Sequence, residues 1–155
     1  MTPEEINSIA GMAVMVGWAI LILGPRRFAV LNAIPLWIIP GMISAVYSII
    51  VLSRMWEAQG GFDSLASVAS LFQNEWALLA GWVHFLAFDL FVGAVMAARM
   101  DRVGVSRVVQ APMLGATFML GPLGFLVAAL TELGLRAHKI PDQLAKLKGD
   151  EHVPA

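Results

Sequence analysis

Apolar stretches close to the length of a bilayer crossing dominate this sequence and leave few folds open to it. The first runs roughly from Ile6 to Leu23 and the second from about Leu31 to Leu52. A third reaches from near Asn74 to about Arg99, and a fourth from about Val108 to Leu130. Each is close to the ~20 residues an α-helix needs to cross a hydrocarbon core. In lipid the backbone must satisfy its own polar groups, so helices are the form such segments take. Only 14% of the residues are charged, well short of the ~25% with which a soluble domain covers its surface. The expectation is an all-α polytopic membrane protein, with a four-transmembrane-helix bundle over residues 1–132 and a polar C-terminal tail over 133–155.

Local signals place the ends of these spans. Thr2 reads as an N-cap, Pro3 as the first helical residue and Glu5 as the partner that closes a capping box. This acidic start is unlike the basic start of a signal peptide, so the first span is expected to be retained. Gly24-Pro25-Arg26-Arg27 ends it with a helix terminator and two interfacial cations. Pro35 and Pro40-Gly41 interrupt the second span, Pro112 stands near the start of the fourth, and Gly121-Pro122 lies past its middle. Between the second and third spans, Asp63-Ser64 caps a run with Leu65, Val68, Leu71 and Phe72 on one side. That run is either a short interfacial helix or a loop with one helical turn. An even number of spans puts both termini on one side. Lys and Arg divide equally between the two sides, and the flanks of the first helix lean towards termini outside.

Composition excludes several functions. With no cysteine, disulfides, thiolate metal sites and a cysteine nucleophile are ruled out. A net charge of -1 offers no basic face to nucleic acid. Three histidines are too few for the clusters of a membrane di-iron enzyme, and His138 and His152 lie in the tail, far from His84. No metal and no cofactor is expected.

The third span carries the chemistry, in the run from Gly81 through His84 and Asp89 to Gly93. Both titratable groups sit near its centre. An aspartate at that depth costs about 2.5–3.5 kcal/mol on insertion scales, so function or a structural hydrogen bond must compensate. Five residues on a helix give about 140° of rotation and 7.5 Å of rise. His84 therefore lies with Gly81, Phe88 and Phe91, while Asp89 lies with Phe85, Gly93 and Met96. Two such groups on adjoining faces reach different ends of a substrate lodged beside the helix, or make two unrelated structural bonds.

Other residues are weighed against plainer roles. Glu57 and Glu75 bracket the polar stretch, where span-end charges are usually just solvated. Arg54 and Arg99 suit headgroup anchors. Ser44, Tyr47 and Thr117 suit either a polar pocket or local back-bonding. Pro40 frees the carbonyl of Leu36 and Pro122 that of Phe118, so the two kinks would frame a cavity around His84. Ala13/Gly17 and Gly93/Ala97 set small residues at helical spacing, suited to another copy or a partner helix.

The run GWVHFLAFDLFVG, the basic segment with Arg99 and Asp101, and GPLGFL from Gly121 to Leu126 together resemble the abscisic-acid-deficient-like membrane family. The likeness extends from about Trp56 to Leu130. In that family an arginine often follows the glycine of the LFVG run; here the place is taken by Ala94. The resemblance implies four spans and a link to the plant protein needed to make neoxanthin from violaxanthin. Carried over by position, it marks His84, Asp89, Asp101, Gly121 and Pro122, with Glu57 and Arg99 beside them.

That conversion is an isomerisation, needing one proton removed from carbon and one given to the opening epoxide. His84 would serve as base and Asp89, kept protonated by burial, as acid. Glu57, Trp82, Phe85, Phe88, Arg99 and Asp101 would bind substrate, and Pro40, Gly121 and Pro122 would set the kinks. The leading expectation is a membrane isomerase of carotenoid or isoprenoid metabolism, with a hydrophobic polyene entering from the bilayer. Two alternatives remain. One is a non-catalytic partner or scaffold of a carotenoid or lipid enzyme, working as a homo-oligomer or with that enzyme. The other is a small proton-linked transporter, with His84 and Asp89 as relay groups.

Overall fold

The computed structural model describes residues 1–150, with side chains as far as His138; residues 151–155 lie outside it. Among the described residues the regular structure is entirely helical. Six helices follow one another: α1 (Pro3–Leu23), α2 (Ala29–Glu57), α3 (Leu65–Leu71), α4 (Glu75–Val103), α5 (Arg107–Leu120) and α6 (Pro122–Asp150). The chain forms two compact units, Met1–Ala94 and Val95 onward. Of these helices α1, α2 and α4 are long and apolar enough to cross a membrane.

The helix ends follow the local signals. Thr2 Oγ1 accepts from the Glu5 N–H at 3.2 Å, and the Glu5 carboxylate accepts from the Thr2 N–H at 2.9 Å. Together they satisfy two donors that a helix start leaves without partners. Asn74 does the same for α4, its Oδ1 accepting from Trp76 at 2.9 Å and Ala77 at 3.1 Å. Ser64 caps α3, so the polar stretch between the long helices does contain a short helix.

Pro35 and Pro40 do not break α2. The helix opens into a wider turn over Ile34–Ile38, where the Ile39 N–H donates to the Ile34 carbonyl. A proline at 40 has no N–H and crowds the carbonyl four residues back; an i→i+5 turn placed just before it absorbs the misfit. Within the first unit, α1 packs through small residues. Gly17 lies against Leu90 of α4 and Ile39 of α2, and Gly93 lies against Trp18 and Leu21. The glycines expected to meet another copy or a partner helix are thus occupied inside the chain. Val14, Trp18, Leu21, Val83, Ala87 and Leu90 are buried in this unit.

The second unit departs from the expected architecture. A single fourth span over residues 108–130, bent at Pro122, is replaced by two helices that meet at Gly121. In one continuous helix, residues seven apart are about 10.5 Å apart along the axis. Here a Cβ on Gly124 would overlap the backbone of Thr117. The chain therefore doubles back. Pro122 opens α6, where its missing N–H costs no hydrogen bond. The return carries Glu132 to within 2.7 Å of Arg99, near the end of α4. Both ends of the hairpin thus lie at the same end of α4. The 14 residues of α5 extend only about 21 Å, less than a hydrocarbon core. A reversal and a bend have the same apolar composition, which is why periodicity alone did not separate them. Residues 133–150, expected as a polar tail, continue α6.

Candidate functional site

His84 stands on α4 across from Tyr47 of α2. Its ring stacks on Phe88 one turn later, with centroids 4.6 Å apart, and stands 5.4 Å from the ring of Tyr47 on α2. His84 itself is exposed. Alongside runs a cavity of about 230 Å³ walled by Leu36, Trp37, Pro40, Gly41 and Ser44 of α2 and by Ala87, Phe88 and Phe91 of α4. Its origin is local. The wide turn ahead of Pro40 loosens the helix, and Gly41 has nothing within 4 Å of the place a Cβ would take. Trp37 closes one end, 5.9 Å from Phe91. Pro40 and Ser44 are thus walls of a slot that adjoins Phe88, the ring on which His84 stacks.

Asp89 is the central residue of α4, fourteen residues from both Glu75 and Val103. Its Oδ2 is buried and meets no hydrogen-bond partner among the described residues. A polar atom in that position is normally paired. Gly93, one turn on and on the same face, packs against Trp18 of α1. His84 instead looks towards α2. The structure places the two groups on different faces, as the five-residue spacing requires.

The remaining predicted residues fall into separate places. Trp82 and Phe85 stack at 5.9 Å on an exposed face of α4. Glu57 pairs with Arg54 at 3.5 Å, and the Arg54 guanidinium lies 4.9 Å over the Trp76 ring. The end of α2 and the start of α4 therefore do meet, but well away from His84 along both helices. Thr117 back-bonds to the Met113 carbonyl at 2.9 Å. Arg99 and Asp101 stand in the second unit, paired with Glu132 and Gln110.

The sequence model of the ABA DEFICIENT 4-like family matches residues 6–127. This chain belongs to that family. The match takes in α1 and α2 as well as the motif-bearing α4, and so reaches further towards the N-terminus than the region around Trp56 to Leu130. No curated protein and no solved structure matched the chain.

Two residues of this ABA DEFICIENT 4-like chain escaped the sequence reading. Glu132, taken only as the boundary of the tail, is buried between Arg99 and Arg136. Its i,i+4 spacing to Arg136 was a usable signal; its pairing with Arg99, thirty-three residues away, was not. Gln110 is buried and donates to Asp101 at 2.6 Å and to the Val105 carbonyl at 2.8 Å, tying the turn between α4 and α5. Nothing in an apolar run marks a single glutamine as an anchor.

Proposed function

We propose that this ABA DEFICIENT 4-like protein is an integral, multi-pass membrane protein. It acts on a carotenoid or related polyisoprenoid drawn sideways from the bilayer, by acid–base isomerisation of an epoxide to an allenic alcohol. The observation that carries the proposal is the slot beside His84. It is aromatic and mostly apolar, lies between two helices suited to span a membrane, and shares its Phe88 wall with the stacked ring of His84. Such a slot fits a conjugated chain and leaves few polar contacts to hold anything else.

The chemistry balances without any external reagent. A C–H bond beside the conjugated chain breaks, its proton passing to the imidazole of His84. The electron pair becomes the new C=C of the allene as the epoxide C–O bond opens, and the oxygen takes a proton from the carboxyl of Asp89. Proton return from His84 to Asp89 completes the cycle. Family membership supports the substrate class, and the unpartnered carboxyl oxygen of Asp89 supports a role beyond packing. Acting on both groups requires the substrate to span about 7.5 Å of rise and about 140° of rotation around α4.

Pigment analysis tests the proposal. The chain and its His84→Ala and Asp89→Asn variants are expressed in cells that accumulate epoxycarotenoids, and the extracts are compared by chromatography. The expected result is a new isomer with the parent sequence alone. An unchanged pigment profile from well-expressed parent protein would remove the isomerase reading.

A further inference from the structure

The second unit contains a charged cluster that the isomerisation does not use. Glu132 is only 4% exposed, yet it accepts from two arginines. Arg99 gives Nε to Oε2 at 2.7 Å and Nη2 to Oε1 at 3.1 Å; Arg136 gives Nε to Oε1 at 2.8 Å, with its Nη2 2.8 Å from the same oxygen as an ion pair. Two cations share one anion, so the cluster keeps a surplus positive charge. The guanidiniums are about half exposed, at 50% and 56%, and among the described residues the Nη1 of each meets no acceptor.

A cavity of about 260 Å³ opens over these outer edges. Its remaining walls are the Glu132 carboxylate, which both arginines already engage, and the apolar Met96, Phe125, Ala129 and Leu133. The site lies where both helices change character. On α4 the apolar run gives way to Arg99, Asp101 and Arg102, and on α6 the apolar stretch through Leu130 gives way to Glu132 and Arg136. An apolar wall that meets fixed guanidinium forks at such a boundary has the shape of an amphiphile's own boundary.

We propose that this cluster is a headgroup site for an anionic phospholipid. The phosphodiester bridges the outer edges of Arg99 and Arg136, and the first acyl methylenes lie against Met96, Phe125 and Leu133. Planar guanidinium forks bind phosphate oxygens in pairs, which a single ammonium cannot do. One negative charge from the phosphodiester balances the surplus. Glu132 is a positioning residue that keeps two mutually repelling cations side by side and aims their free edges outward. The site belongs to the lipid-facing surface and stands whether or not the protein is an isomerase.

The test uses the purified full chain in neutral detergent micelles. Phosphatidylglycerol, phosphatidylcholine and inorganic phosphate are the probes, and binding is read from the thermal unfolding midpoint as each is added. The expected result is saturable stabilisation by phosphatidylglycerol alone. Arg136→Gln should weaken it about tenfold, the worth of one charge-assisted pair. Leu133→Glu leaves the ion pairs in place but puts a negative charge on the apolar wall, and should weaken it similarly. Arg27→Gln, which removes the same charge from the Phe28 cation–π contact in the α1–α2 turn, should leave it unchanged. Three results would each overturn the proposal: equal stabilisation by phosphatidylcholine, stabilisation by inorganic phosphate at the same concentration, or an equal loss in Arg27→Gln.

Discussion

Trp18 of α1 lies over Gly93 of α4, its ring edge filling the space that a side chain at 93 would occupy. The contact stands one turn from Asp89 and sets how closely α1 approaches the face that carries the carboxyl. A methyl group at 93 would meet ring atoms of Trp18 at 2.5 and 2.9 Å. Gly93→Ala is therefore expected to cost about 1–3 kcal/mol through overpacking. Thermal unfolding of the purified protein in micelles reads this directly. Gly11→Ala is the control, since a Cβ there meets nothing within 4 Å, and it should gain about 0.5–1 kcal/mol from reduced backbone entropy.

Gly41 separates binding from stability. It lines the slot beside His84, and the space above it is open. Gly41→Trp should fill the slot and abolish product formation while the unfolding midpoint stays at or above that of the parent. A filled slot with undiminished turnover would place the substrate elsewhere.

Asp101 and Gln110 should matter through the turn they tie. Gln110→Leu removes the bonds to Asp101 and to the Val105 carbonyl, at an expected cost of about 1.5–3 kcal/mol for a buried bond to a charged group. Asp101→Asn keeps a side-chain oxygen to accept from Gln110 and should cost less than Asp101→Ala. Equal losses in the two Asp101 variants would show that the Gln110 bond contributes little.

The reversal at Gly121 has a topological consequence. If α1, α2 and α4 each cross the membrane, the hairpin that returns to the end of α4 puts the polar section of α6 on the same side as the α4–α5 turn. The chain has no cysteine, so single cysteines report cleanly. Ser106→Cys and Ala137→Cys should be labelled by an impermeant maleimide from one side, and Gln59→Cys from the other. Labelling of position 137 together with 59 would restore a fourth crossing.

Glu132 also predicts an acid limit. The hydrogen bond from Arg99, aided by the charges of Arg99 and Arg136, holds its carboxyl below the usual 4.5 although desolvation opposes the shift. A carboxyl lowered in the folded state contributes stability above its unfolded value, and that contribution is lost as pH falls through the lower folded value. The parent protein should therefore keep this contribution at pH 5 and lose it below 4.5. Glu132→Gln should be less stable at pH 7 and lack that step when unfolding midpoints are followed against pH.

Much of this protein was legible in one dimension because the relevant physics is local. Capping at Thr2 and Ser64 involves residues three apart, and α1, α2 and α4 follow from apolar runs of about the length of a bilayer crossing. The separation of His84 and Asp89 onto different faces follows from helical pitch alone. Only the tertiary structure decided the rest. Whether Gly121-Pro122 bends a helix or reverses it depends on how closely Gly124 approaches Thr117, and that is set by packing between turns rather than by composition. The use of Gly17 and Gly93 inside the chain required a neighbouring helix to fill them. The pairing of Arg99 with Glu132 joins residues thirty-three positions apart, a distance over which sequence pattern carries no phase and only the folded backbone brings charges together.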